Sequence, residues 1–167
     1  MPTIDLETAD LDAAIAEFRA GGVAADAGDG LMPRDWSDED WQRLFGFVTI
    51  RAVAAGDALI RRGEADRTLF FVLGGSLEVI VNASDGHSMG PLTRIGAGSV
   101  LGEQSFFDGR PRSASAWAVG DCRVGAMSLE QFAAFEEAHP RLARDLLLAL
   151  GRILATRLRT TTAKVFG

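Results

Sequence analysis

The stretch Gly102-Glu-Gln-Ser-Phe-Phe-Asp-Gly-Arg-Pro-Arg-Ser-Ala-Ser115 carries residue types that grip a polar ligand. A glycine is followed at once by a carboxylate, then a short apolar turn, then a loop and Pro111-Arg112-Ser113-Ala114. That order predicts an anion cradle. Backbone amides near Gly102, Glu103 and Gln104, at the start of a short helix, would point toward a phosphate. Arg112 offers a planar fork of donors that suits the same group, and Ser113 adds a hydroxyl. Glu103 cannot accept from a phosphate, so beside such a cradle it needs a donor, and a sugar hydroxyl is the natural one. The plainer reading is a Glu103–Arg112 ion pair that merely closes a loop.

Other candidate chemistry is thin. Gly96-Ala-Gly98 with Gly102 has the wrong third spacing for a dinucleotide fingerprint. Gly74-Gly-Ser76 lacks the closing glycine of a nucleophile elbow. His87, in a polar hairpin with Asp85-Gly86, and His139 are the two histidines, too few for a His-rich metal site. No catalytic residue and no metal ligand is therefore assigned. Cys122 is the single cysteine, which excludes an intrachain disulfide and fits a reducing, cytoplasmic setting.

The elements around the cradle follow from periodicity. Eight short apolar runs between residues 47 and 127 are separated by glycine turns: Phe47–Ala52, Ala58–Arg61, Thr68–Leu73, Leu77–Val81, Leu92–Ile95, Ser99–Leu101, Ala114–Ala118 and Arg123–Met127. They predict a mainly β fold with flanking helices, a jelly-roll β-roll or double-stranded β-helix. Upstream, Leu11, Ile15 and Phe18 predict a helix over residues 9–20 that Gly21-Gly22 stops, with 21–35 as a linker. Ser37 caps a second helix that buries Trp41, Leu44 and Phe45. Downstream, Ser128-Leu-Glu-Gln131 fits a capping box before Phe132 and Phe135. Pro140 then opens a long helix reaching about Val165, roughly 37 Å. Two regions are expected: residues 1–35, an acidic extension with a short helix, and residues 36–167, the roll with its C-terminal helices.

The cradle segment resembles the phosphate-binding cassette of cyclic nucleotide-binding domains: Gly-Glu, a short helix, then Pro-Arg-Ser-Ala. Gly56-Asp57, Gly63-Glu64, the run Thr68–Leu73 and the glycine after it also fall where that family has its turns. The resemblance covers roughly residues 37–166. It implies that Glu103 binds the ribose 2′-hydroxyl and Arg112 the cyclic phosphate, with Gly102, Gln104 and Ser113 completing the cradle. Gln104 replaces the usual aliphatic residue. The last helix resembles that of the catabolite-activator subgroup, where two adjacent hydroxyl residues lie on the purine; Thr161 and Thr162 fall at those positions. The implied ligand is cyclic AMP or cyclic GMP, with Thr162 tilting the choice to cyclic AMP, and no further cofactor. Whether the last helix covers its own pocket or its mate's stays open.

The expected role is a stand-alone, non-catalytic sensor that signals to a partner protein, with residues 1–35 as the candidate partner-specific region. A ligand-free interaction module with a degenerate pocket, and a cupin-like small-molecule or metal enzyme, are the alternatives. Leu147, Leu150, Leu154 and Leu158 form a seam near heptad spacing, which predicts a homodimer through the last helix. Leu146 and Ile153 turn toward the roll. Arg144, Arg152, Arg157 and Arg159 are expected on a solvated or partner-facing side. Net charge is −6, with −8 concentrated in residues 1–45, which argues against binding DNA or an anionic membrane surface. Gly167 falls where the subgroup's helix-turn-helix begins, so operator binding is not expected. Acids at Asp5, Glu7, Asp10 and Asp12 stand where a signal peptide would be basic and apolar, and no run approaches bilayer length.

Overall fold

The computed structural model describes residues 8–24, 30–80 and 93–166. The hairpin around His87 and part of the linker, residues 25–29, lie outside the described residues. Among the described residues, eight strands form two antiparallel four-stranded sheets. One sheet has the order β1 (Thr49–Val53), β8 (Cys122–Met127), β3 (Leu69–Gly74), β6 (Val100–Leu101). The other runs β2 (Ala58–Ile60), β7 (Ser115–Ala118), β4 (Ser76–Ile80), β5 (Thr93–Gly96). Each of the eight expected runs supplies one strand, so the mainly β roll holds.

The sequence of β3 explains how the layers stack. Leu69, Phe71 and Leu73 are buried on one face, and Phe70 and Val72 on the other. A strand apolar on both faces has to lie between two covers. Phe70 and Val72 meet Leu77, Ile95, Leu101, Ala116 and Val124 inside the roll. Leu69, Phe71 and Leu73 meet the helices.

Those helices are α1 (Thr8–Ala24), α2 (Asp38–Phe45), α3 (Glu103–Asp108), α4 (Leu129–Ala138) and α5 (Pro140–Phe166). Capping boxes start α2 at Ser37/Asp40 and α4 at Ser128/Gln131, each satisfying otherwise orphaned amides. Phe18 of α1 packs edge-on against Trp41, Phe45 and Phe71 at 5.8–5.9 Å between ring centroids. Buried Asp40 of α2 takes hydrogen bonds from Ser37, Arg43 and Arg141, the last tying α2 to α5. Burial raises its pKa, but the bonds from Ser37 and Arg141 outweigh burial and leave the carboxyl below its ordinary value.

Two expectations fail here. Gly21-Gly22 does not stop α1, which continues to Ala24. A side chain on Gly21 would sit 2.1 Å from the Ala97 carbonyl oxygen, and one on Gly98 would sit 2.0 Å from the Gly22 nitrogen. These glycines let the helix backbone lie directly on the β5–β6 turn. Nor is the described end of the expected linker, residues 30–35, detached from the core. Leu31 is buried in the helix-side core, and its amide donates to the Gly98 carbonyl at 3.2 Å.

Candidate functional site

The Gly102–Ser115 segment folds over one mouth of the roll. Gly102 closes β6 in a left-handed conformation, φ 81°, and precedes α3. A Cβ there would fall 2.4 Å from Arg112 Nη1 and 2.6 Å from the Thr68 carbonyl oxygen, so no side chain fits. The chain leaves α3 through Gly109 and returns into β7 past Arg112 and Ser113.

Glu103 and Arg112 are only 4% and 3% exposed. Neither pairs with the other, so the loop-closing ion pair is not what the fold builds. Arg112 Nη2 donates to an Asp66 carboxylate oxygen and, at 2.7 Å, to the Thr68 carbonyl; Nη1 donates to the Gly102 carbonyl at 3.2 Å. Its guanidinium also lies 5.6 Å from the Phe70 ring centroid. Burial raises the Asp66 pKa, but hydrogen bonds from Thr68 and Arg112 reverse this and hold it below the usual value. Glu103 Oε1 instead meets Arg157 Nη1 of α5 at 2.8 Å, and Arg157 Nη2 donates to the Val100 carbonyl at 3.0 Å.

Both side chains open on a cavity of about 410 Å³ between the roll and α5. Ile60, Val79, Ile95, Leu101 and Ala116 make an apolar wall, and Thr93, Ser113 and Ser115 add hydroxyls. Of the residues expected at the site, Gly102, Glu103, Gln104, Arg112, Ser113 and Thr161 line this cavity. Thr162 does not; it lies exposed on α5 with its hydroxyl donating to the Leu158 carbonyl at 2.9 Å.

Sequence reasoning missed four residues. Arg157, expected on an outward side, faces the cavity. Thr156 and Thr160 line it as well. Their i, i+4 spacing from Thr156, next to Arg157, was the available signal. Asp66 has no such signal, because 46 residues separate it from Arg112. Among the described residues no group of three His, Cys, Asp or Glu side chains is placed to hold a metal ion. No helix there is long and apolar enough to cross a membrane.

The sequence model of the cyclic nucleotide-binding domain matches residues 50–139, more than half of the chain. This chain belongs to the cyclic nucleotide-binding domain family. The cAMP-activated global transcriptional regulator CRP of Salmonella typhimurium is 32% identical over 136 residues, 81% of this chain and 62% of that protein. The chain thus spans less than two thirds of such relatives. Among solved structures, a cyclic nucleotide-binding domain from Methylobacillus flagellatus shares the fold with a TM-score of 0.78 at 23% identity, over 92% of this chain and 83% of that one. The catabolite activator protein of Thermus thermophilus gives 0.68 at 25% identity, over 79% and 60%. As a cyclic nucleotide-binding domain, the chain is of regulatory type, and the strands and long last helix match those neighbours.

Proposed function

We propose that this domain senses cyclic AMP and passes the signal to a partner protein without catalysis. The observation that carries the reading is the buried pair Glu103 and Arg112, both opening on one cavity with an apolar wall. Arg112 supplies N–H donors for the cyclic phosphate. Glu103 accepts from the ribose 2′-hydroxyl, with Gly102, Gln104 and Ser113 around the phosphate. A purine then lies between the apolar wall and α5.

The choice of base rests on the hydroxyls of α5. Thr160 and Thr161 donate to the Thr156 and Arg157 carbonyls at 3.0 and 2.9 Å. A carbonyl has no hydrogen, so each hydroxyl must donate its own and keeps only lone pairs for a ligand. Acceptors there suit the C6 amine of adenine, where guanine carries a carbonyl; guanine would have to turn its N1–H and C2 amine to them instead. The CRP relatives, named as cAMP-activated, support the same choice.

Signalling follows from the Glu103–Arg157 contact. A ribose hydroxyl arriving at Glu103 competes with an arginine on α5, so occupancy biases the position of that helix. Leu148 and Leu158 on the outward side of α5 are 56% and 68% exposed, with Gly151 and Ala155 between them. A second copy of this domain covering that stripe forms the proposed homodimer, and Thr162 then faces the mate. The acidic charge supports a protein effector over DNA, and the buried Cys122 thiol a cytoplasmic setting.

Calorimetric titration with cyclic AMP and cyclic GMP tests the reading. Saturable one-site binding with cyclic AMP the tighter ligand is expected. Tighter cyclic GMP would overturn the choice of base. No heat with either, from folded protein, would leave a ligand-free interaction module.

A further inference from the structure

The loop between β2 and β3, residues 61–68, holds both halves of the cradle. Its backbone pairs with that of Arg112: Gly63 N–H donates to the Arg112 carbonyl and Arg112 N–H to the Glu64 carbonyl, both at 2.9 Å. Asp66 and the Thr68 carbonyl take the Arg112 guanidinium. The other Asp66 oxygen accepts from the Thr68 amide and hydroxyl, which stiffens the loop. Between them stands Arg67, and its guanidinium turns the other way. Nε donates to the Ser105 carbonyl at 3.2 Å and Nη2 to the Phe106 carbonyl at 2.7 Å.

Those two carbonyls belong to α3, the helix that begins with Glu103. At six residues α3 cannot hold its shape by its own hydrogen bonds. Gly102 supplies no side-chain cap at its start. Phe106, edge-on to Phe132 at 5.3 Å, packs the helix on the core, and Glu103 is tied to Arg157 of α5 at 2.8 Å. Both contacts are made by side chains, and the two-point grip of Arg67 fixes the backbone at the carbonyl end.

We propose that Arg67 is a positioning residue for nucleotide binding: it sets the orientation of α3 and, through it, the Glu103 carboxylate at the cavity. The inference rests on the cyclic nucleotide reading above. It assigns a ligand-affinity role to an exposed side chain that does not line the cavity.

The test combines Arg67→Ala, Arg67→Lys, Glu103→Gln and the double variant Arg67→Ala/Glu103→Gln, with two readouts. Backbone amide exchange without nucleotide reports on α3, at Phe106 and Gly109, whose amides close its turns on Gly102 and Ser105. Arg67→Ala is expected to speed exchange there and leave the sheets protected. Calorimetry with cyclic AMP is expected to show a loss of about 3- to 10-fold. Arg67→Lys, which keeps one N–H contact, falls between. In the Glu103→Gln background the Arg67→Ala loss shrinks below about twofold, because the group being positioned is gone. A merely structural role would weaken binding equally in both backgrounds, and that result overturns the proposal; so does unchanged α3 exchange. If wild-type protein binds no cyclic nucleotide, the functional reading fails, and the exchange arm alone decides whether Arg67 orients α3.

Discussion

Arg112 has five N–H donors, and three are held by the Asp66 carboxylate and the Gly102 and Thr68 carbonyls. Two remain for a ligand, so the side chain acts both in the fold and in the site. Arg112→Ala is expected to weaken cyclic AMP binding by roughly 10- to 150-fold, or ~1.5–3 kcal/mol. It also lowers the melting temperature, because two carbonyls lose their partners. Titration and thermal unfolding of the same sample separate the two effects; unchanged affinity in folded protein would remove the phosphate role. Glu103→Gln isolates the sugar contact. It is expected to cost cyclic AMP affinity but to change that of the 2′-deoxy analogue little, since the hydroxyl in question is missing. Glu103 and Arg112 were legible in the sequence because Gly-Glu and Pro-Arg-Ser-Ala lie nine residues apart in one segment. Asp66 and Arg67 were not, since only the fold brings their loop to the cradle.

The docking of α1 on the β5–β6 turn makes an expected outcome at the scale of elements. Gly98→Ala puts a methyl 2.0 Å from the Gly22 nitrogen at a φ of 88°, where side chains are strained. A loss of about 1–3 kcal/mol is expected, with α1 becoming the first segment cut in limited proteolysis. Gly151→Ala, mid-helix on α5 with nothing within 4 Å, is expected to raise stability by about 0.5–1 kcal/mol. The contrast shows why Gly21-Gly22 was misread: composition marks a glycine as a stop, and only the neighbouring backbone reveals it as a point of close approach. Strand and cap positions were legible because they depend on local pattern; Leu150 was not. It belongs to the near-heptad series with Leu147 and Leu154, yet it is 0% exposed and packs in the molecule's own core, so it leaves the dimer seam.

For the whole molecule, the proposed dimer is tested on residues that the monomer leaves exposed. Sedimentation at tens of micromolar (an ordinary weak-association range) is expected to give a dimer for the wild type and a monomer for Leu158→Glu, with the melting temperature of each subunit's core unchanged. Leu150→Glu would unfold the domain instead, because it buries a carboxylate. A wild-type monomer with cyclic AMP saturating would remove the dimer. Acid stability is a property of the whole chain as well. Asp40 and Asp66 have folded-state pKa values below their ordinary 3.8, so the folded protein binds fewer protons there than the unfolded chain. Their contribution is complete above that ordinary value and is lost as pH falls through the lowered folded values. Denaturant titrations between pH 7 and 3 are expected to show stability dropping below about pH 4, with a shallower drop in Asp40→Asn. The strand order carries a consequence in time. Among the described strands, only β4 and β5 pair with a neighbour in sequence; β1 waits for β8, and β2 for β7. During synthesis at about 5–20 residues per second, β1 spends roughly 4–15 s without its partner. For part of that wait the doubly apolar β3 also lacks its hydrogen-bonded neighbours, as β6 and β8 both follow it. The nascent chain, rather than the finished domain, is therefore where chaperones have most to do, and translation slowed between Gly74 and Val100 should reduce soluble yield more than translation slowed within α5.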